Sequence, residues 1–225
     1  MSAKIYVYGV FIVKPGPFAM PSATISAAFW DRIARKYAAS PIKDMASYEH
    51  TLTRTAAYLS NSDRVLEIGC GTGTTALKLA PFAGSILATD FAPGMIAIAR
   101  EKGAGTDNVR FETVSAGAPP QGPFDAILGF NLFHLVPDLP QVLAGLRDQL
   151  APGGLLISKS ACLRDANPLI RLLIPAMQLV GKAPYVNVFS VAGLERMITD
   201  SGFEIVETGT FPKKPPARFI VARKR

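Results

Sequence analysis

The residues best suited to chemistry lie in one glycine-rich stretch, VLEIGCGTG, at positions 65–73. It holds one acid and three alternating glycines, Glu67, Gly69, Gly71 and Gly73. Such glycines let the backbone approach a ligand closely where an apolar strand ends. The dinucleotide fingerprint G-x-G-x-x-G would need glycine in place of Thr74, and no Gly-Lys-Ser/Thr phosphate loop follows. The stretch therefore predicts a ligand loop of another kind.

A second acid stands at the end of the next apolar run. Asp90 follows Gly73 by 17 residues. A carboxylate at this point of an α/β fold can accept hydrogen bonds from both hydroxyls of a ribose. The plainer alternative is a cap for the helix that begins at Pro93. The spacing favours ribose, so the sequence predicts a nucleoside site without a pyrophosphate cradle.

The elements that must position these residues are short apolar strands alternating with amphipathic stretches. Strands are predicted at Arg64–Ile68, Ile86–Asp90, Val109–Val114, Phe124–Phe130 and Leu155–Ser158, with helices near 26–39, 44–59, 74–80, 93–102, 139–150 and 191–201. This alternation predicts an α/β, doubly wound fold with a mostly parallel sheet. Two last strands, Glu204–Thr210 and Phe219–Ala222, are joined too closely for a crossover helix and should pair antiparallel.

Four sequence blocks in order resemble the class I S-adenosylmethionine-dependent methyltransferases, in particular the type 11 or ubiquinone/menaquinone-biosynthesis-like group. They are VLEIGCGTG, then ATDFAPGMIAIAR at 88–100, FDAILGFNLFHLVPD at 124–138 and LAPGGLLISK at 150–159. The resemblance implies a seven-stranded sheet whose last strand is antiparallel. It also implies that S-adenosylmethionine is the cofactor, with the glycine loop around its methionine portion.

The same resemblance assigns further cofactor contacts. It implies that Asp90 holds the ribose, that Phe91 and Met95 flank the adenine, and that Asn131 lies beside the reacting methyl group. Cys70 belongs to the loop as a small residue. Where the family commonly has an acid near the adenine amino group, this chain has Ser115 and Ala116. A serine can accept one hydrogen bond from the adenine but carries no charge.

His134 follows the fourth predicted strand and is one of only two histidines. An imidazole at the mouth of the cleft can deprotonate a substrate hydroxyl, because its ordinary pKa lies near neutrality. The alternative is a residue that orders the loop. Methyl transfer needs mainly alignment of the nucleophile and exclusion of water, so a missing base is no objection.

The substrate class depends on what covers the cleft in the single domain predicted over 26–225. Two regions can do so, a helical cap at 26–60 and a lid insertion at about 161–190, and they supply Tyr37 and Tyr185 as lining candidates. The insertion is largely aliphatic, which favours extra core or an apolar wall. We expect in-line methyl transfer to a small, apolar or aromatic acceptor. We expect residues 1–25 to be a leader outside this domain, with 1–19 as an upstream extension or an accessory strand.

Charge and cysteine content limit the partners. The net charge of +7 is concentrated at the ends of the chain, with six bases and no acid in 213–225, and Arg218 and Arg223 are expected to reach water at the ends of a strand. Two separated cysteines argue against a disulfide framework or a metal site. The apolar stretch at 5–13 is too short to span a membrane. We therefore expect a cytoplasmic enzyme that binds no nucleic acid and no metal.

Three other functions stay open from the sequence. Nucleic-acid amino methylation would need Asp or Asn followed by Pro-Pro and an aromatic after the fourth strand, where this chain has Asn131-Leu132. A nicotinamide oxidoreductase is disfavoured by Thr74. A non-catalytic module that binds S-adenosylmethionine is suggested only by Ser115.

Overall fold

The fold is taken from a computed structural model that describes residues 23–166, 168, 173, 174, 177, 178 and 183–225. Its centre is a seven-stranded sheet. The strands are β1 Arg64–Ile68, β2 Ser85–Asp90, β3 Val109–Thr113, β4 Phe124–Phe130, β5 Leu150–Ala161, β6 Phe203–Lys213 and β7 Pro216–Lys224. Their order is β3-β2-β1-β4-β5-β7-β6. β7 runs antiparallel to the other six strands, which are parallel to one another. This confirms the predicted doubly wound α/β sheet.

Helices cover both faces of the sheet. They are α1 Ala23–Ala39, α2 Met45–Ala56, α3 Thr74–Leu79, α4 Pro93–Lys102, α5 Leu139–Gln149 and α6 Val191–Asp200, with short 3-10 turns at Ala80–Phe82, Phe133–Leu135 and Leu163–Asp165. One apolar cluster joins α5 and α6 to the sheet, and a second joins α3 and α4 to the other face. Buried apolar side chains on both faces are what a parallel sheet requires.

The C-terminal strands are longer than predicted. β5 pairs with β7 without interruption from Leu155↔Arg223 to Ala161↔Ala217, and β6 pairs with β7 with two shifts of register. Hairpin pairing extends the ladder to Lys213↔Pro216, although proline is by itself typical of a loop. Arg218 also differs from its expectation: its guanidinium lies 2.6 Å from Glu195 Oε1 and is partly buried. Helix α1 begins at Ala23, three residues before its predicted start.

The two regions predicted to cover the cleft are described to different extents. The cap at 26–60 contains α1 and α2. Most of the lid insertion between 167 and 182, and nearly all of the leader at 1–25, lie outside the described residues. The chain becomes described again at Ala183, so the segment that carries Tyr185 back to α6 can be placed.

Candidate functional site

A cavity of about 370 Å³ opens at the carboxyl ends of the central strands. β1 pairs in parallel with β2 on one side and with β4 on the other. The side of the sheet on which successive strands are added therefore changes at β1. Ligands of open α/β sheets bind in the crevice at such a switch point. The loops after β1, β2 and β4 all reach the cavity.

The glycine turn after β1 forms the floor of the cavity. Gly69 and Gly71 have φ values of +63° and +54°, which side-chain-bearing residues rarely adopt. A Cβ on Gly69 would lie 2.7 Å from Leu132 Cδ1, so glycine there lets the β4 loop close over the turn. A Cβ on Gly71 would meet only Tyr37, at 3.8 Å from Cε1. The backbone is thus exposed to a ligand at Gly71.

Asp90 at the end of β2 holds the same turn from the side. Its Oδ2 accepts a hydrogen bond from the Gly71 amide at 3.0 Å, and its Oδ1 accepts one from the Ala92 amide at 2.9 Å. Burial raises the pKa of the Asp90 carboxyl, against the effect of these two bonds. The Phe91 amide also donates to this carboxylate. A carboxylate has about four lone-pair sites, so it keeps acceptor capacity for a ligand in the cavity.

Glu67 lies directly behind the turn and is 2% exposed. The Ala76 amide of α3 donates to its carboxylate, but Oε2 has no partner among the described residues. Burial, and then the nearby Asp90 charge, raise the pKa of Glu67 to about 8. Two buried acids close together favour a cationic ligand, because a positive charge offsets the cost of ionising both.

The walls of the cavity are mainly apolar. α1 supplies Trp30 and Tyr37, and the segment before α6 supplies Pro184 and Tyr185. The remaining lining residues are Gly69, Gly71, Asp90, Phe91, Met95, Ser115, Ala116, Gly117, Phe130, Asn131, Leu132, Leu135, Val136, Pro137, Asp138, Gln141 and Val142. None of these described lining residues is Lys, Arg or His. The cavity therefore offers acids and apolar surface, and its described lining carries no fixed positive charge.

Ten of the predicted site residues meet in this cavity. They are Tyr37, Gly69, Gly71, Asp90, Phe91, Met95, Ser115, Ala116, Asn131 and Tyr185. Ser115 Oγ accepts a hydrogen bond from the Gly117 amide at 3.3 Å, which leaves its hydroxyl proton free to donate. Asn131 has a φ of +54°, and its backbone N–H donates a hydrogen bond to the Lys159 carbonyl oxygen at 2.7 Å. The end of β4 is thereby held at the cavity.

Three other predicted cofactor residues lie behind the lining. Glu67 is buried, as described above. Cys70 is 8% exposed, and its thiol points to Gly71 O at 3.7 Å. Gly73 faces away from the cavity, because a Cβ there would lie 2.7 Å from Phe111 Cε1. They shape the turn from beneath.

His134 is also placed outside the lining. It lies in the 3-10 turn Phe133–Leu135, and its Nδ1 is buried with no partner among the described residues. Burial lowers the pKa of His134 to about 4, so the imidazole is neutral at ordinary pH. Its carbonyl accepts the Asn187 amide at 2.6 Å, which ties the Tyr185 segment to the β4 loop. General-base catalysis by His134 stays a prediction.

The structure adds lining residues that the sequence did not indicate as such. They come from the β4–α5 connection and the first turns of α5, namely Leu132, Leu135, Val136, Pro137, Asp138, Gln141 and Val142. The available signal was their place directly after Asn131 in the third resembling block. Their orientation depends on how α5 packs against the sheet, and this packing cannot be predicted from the local sequence pattern.

No group of three or more His, Cys, Asp and Glu side chains in the described part of the chain is arranged to hold a metal ion. None of the helices described is both long and apolar enough to cross a bilayer.

Comparison with known proteins supports a single family. Residues 35–208 match the family described as methyltransferase domain. A protein-L-isoaspartate O-methyltransferase of Anaeromyxobacter dehalogenans is 36% identical over 104 residues, which are 44% of this chain and 47% of that protein. The highly reducing polyketide synthase lcsB of Purpureocillium lilacinum is 31% identical over 127 residues, 50% of this chain but 5% of that protein. The chain thus matches less than half the length of these relatives.

Solved structures agree on the fold. The DhpI–SAH complex superposes with a TM-score of 0.69 at 22% identity and covers 90% of this chain and 96% of its own. The cavity suits the cofactor of such enzymes, because S-adenosylmethionine is cationic and nucleoside-bearing and the cavity combines two acids with apolar walls. The chain therefore belongs to the methyltransferase domain family, and its fold is the class I fold that the sequence resemblance implied.

Proposed function

We propose that this protein methylates a small, uncharged apolar or aromatic acceptor by in-line displacement. The observation that supports it is one cavity that joins the glycine turn and Asp90 to a wall of aromatic and aliphatic side chains. In this proposal Leu135, Val142 and Tyr185, which line the cavity, form its acceptor end. Side chains of this kind favour a hydrophobic acceptor, because moving apolar surface out of water into the cavity is favourable.

The cofactor residues of the proposal follow the lining. Gly69 and Gly71 bring backbone against the methionine portion, Asp90 offers its remaining acceptor capacity to the ribose, and Met95 and Phe91 supply apolar contact for the adenine. At the adenine end, Ser115 offers one hydroxyl and no charge. Asn131, which lines the cavity just after β4, is assigned to the acceptor side, beside the reacting methyl group.

The chemistry asks for alignment more than for acid–base groups. S-adenosylmethionine, when bound, supplies a methyl group already activated on a sulfonium, whose sulfur keeps the electron pair of the broken bond. Trp30, Tyr37 and Tyr185 exclude water and orient the acceptor's lone pair. None of the described lining residues is a histidine or lysine, so in this proposal the acceptor's proton passes to bulk water at the open mouth of the cavity once the methyl group has been transferred.

The absence of cationic side chains among the described lining residues argues against a carboxylate acceptor. The relative from Anaeromyxobacter is named for methylation of protein L-isoaspartate, which is a carboxylate. In this chain Asp90 and Asp138 both line the cavity, so the negative charge of a carboxylate acceptor would be repelled. We infer that phenols, quinols and neutral amines or thiols are better acceptors, and that nucleic acid is not one.

The test begins with S-adenosylhomocysteine binding measured by calorimetry. Asp90→Asn should weaken binding at least tenfold, because asparagine has one acceptor oxygen and an NH2 donor where aspartate has two acceptor oxygens. Asp125→Asn is the matched control: Asp125 also accepts a backbone amide, from Arg64 at 2.8 Å, but does not line the cavity. Unchanged affinity in Asp90→Asn would remove the ribose assignment.

The acceptor is then tested by S-adenosylhomocysteine release over paired compounds, such as a phenol and the corresponding benzoate. Turnover of the phenol with little turnover of the benzoate is expected. Preference for the carboxylate would overturn the acceptor class, and binding of the cofactor without turnover of any compound would favour a non-catalytic module.

A further inference from the structure

Helix α1 caps another helix, 63 residues away along the chain. Asp31 Oδ1 accepts a hydrogen bond from the Gly94 amide at 2.7 Å. Gly94 is in the first turn of α4, where backbone amides lack partners within the helix. The N-cap residue of α4 itself is Ala92, which has no side-chain acceptor. Asp31 therefore supplies from α1 the cap that the local sequence of α4 lacks.

The contact is also fitted in shape. A Cβ on Gly94 would lie 2.9 Å from Asp31 Oδ1 and 3.6 Å from Ala34 Cβ, so glycine allows α1 to approach. The apolar contact beneath is small: Ala34, Ala92 and Met95 are buried, with Trp30 and Ile98 packed against them. A helix held by so few apolar groups depends strongly on each polar contact.

The consequence reaches the cofactor cavity, because α1 carries part of its wall. Trp30, adjacent to Asp31, and Tyr37, nearly two turns later, both line the cavity. Their rings meet edge to face with centroids 6.0 Å apart. On the α4 side, Met95 directly follows Gly94 and lines the same cavity. The Asp31–Gly94 bond thus joins two walls of one site.

We propose that Asp31 is a positioning residue for the cofactor, which holds α1 on α4 and so keeps Trp30 and Tyr37 closed over the bound molecule. The inference rests on the cavity being the cofactor site. Asp31 itself does not line that cavity, so it acts on the bound cofactor only through Trp30 and Tyr37.

The experiment measures the rate of S-adenosylhomocysteine dissociation by stopped flow. Trp30 is the only tryptophan in the chain, so intrinsic fluorescence reports on this wall without a label. Asp31→Ala should release the ligand about fivefold faster, the size expected for loss of one helix cap. Asp31→Asn keeps an acceptor oxygen and should recover most of the wild-type rate.

Two further variants separate positioning from general stability. Asp44 caps α2 through the Ser47 amide at 3.0 Å, and no residue of α2 lines the cavity. Asp44→Ala should lower the melting temperature to a similar extent as Asp31→Ala and leave dissociation unchanged. Gly94→Ala improves helix propensity but places a methyl group where the Asp31 carboxylate sits, so it should speed release without lowering the melting temperature.

The outcomes are distinct. If the wild-type protein does not bind S-adenosylhomocysteine, the proposed function fails before this inference is reached. If it binds, and Asp31→Ala and Gly94→Ala release the ligand at the wild-type rate, the inference is overturned. Equal acceleration by Asp44→Ala would also overturn it, because the effect would then follow stability alone.

Discussion

Glu67 shows how a single residue can be indicated by sequence and yet acquire its chemistry from the fold. Its place in VLEIGCGTG predicts a role in the glycine loop. The structure buries it behind the loop, leaves Oε2 without a described partner and sets Asp90 nearby. Both effects favour the protonated acid. The raised pKa of about 8 therefore comes from the fold, and a positive charge in the cavity would favour the ionised carboxylate.

This raised pKa makes stability depend on pH. The pKa of Glu67 is about 8 in the folded protein and about 4.5 in an unfolded chain, so the folded state holds an extra proton between these values. Stability should therefore fall as pH rises through that window. Glu67→Gln should remove this component and gain about 2–4 kcal/mol relative to wild type between pH 5 and pH 8.

Urea unfolding at the two pH values measures the difference. Parallel changes in wild type and Glu67→Gln would show that the carboxyl titrates in its ordinary range. The same pair of proteins should differ in proton release when S-adenosylmethionine binds, because a cationic ligand favours ionised Glu67.

At the scale of elements, the β1–α3 connection was predicted with correct bounds, because its signals are local. The apolar run of β1 and the turn glycines define where a strand ends and a helix begins. The different tasks of the glycines are not local. Gly71 faces the cavity, whereas Gly73, with φ of +76°, makes room for Phe111 of β3 and Ala99 of α4. Only the packing of three elements separates these tasks.

A substitution at Gly73 should therefore cost more than backbone strain. Gly73→Ala places a Cβ 2.7 Å from Phe111 Cε1 and 2.9 Å from Ala99 Cβ, and we expect a loss of about 2–4 kcal/mol in the free energy of unfolding. Gly105→Ala is the matched control, because Gly105 also has a positive φ, +90°, but a Cβ added there would have no described atom within 4 Å. It should lose about 1 kcal/mol. Equal losses in chemical denaturation would show that backbone strain alone is responsible.

Over the whole molecule, the formal charge of +7 is a poor guide to partners. Several basic groups of the described chain are engaged internally. Arg218 pairs with Glu195, Arg54 with Glu207, and Lys224 Nζ donates to Leu150 O at 2.6 Å. These contacts fasten β6 and β7 to the rest of the fold. Cations used in this way do not form a stripe that follows a nucleic-acid backbone.

Binding to nucleic acid should accordingly be weak and non-specific. For a labelled 20-nucleotide DNA or RNA at 150 mM salt, fluorescence anisotropy should give a Kd above about 10 µM, within the range of purely electrostatic association. The binding that appears at 50 mM salt should be lost on addition of salt. A submicromolar Kd that persists at 150 mM would contradict the assignment of a small-molecule acceptor.

The sequence by itself determined the alternation of strands and helices, the ligand turn and the acid at the end of β2. These follow from periodicity and turn chemistry within short stretches, which act before any distant contact forms. Tertiary structure decided which residues face the ligand: it brought α1 onto α4, turned Gly73 and His134 away from the cavity, and added the wall formed by α5. Those features depend on contacts between residues as far apart as Asp31 and Gly94, and the free energy of such packing is not encoded in any one segment.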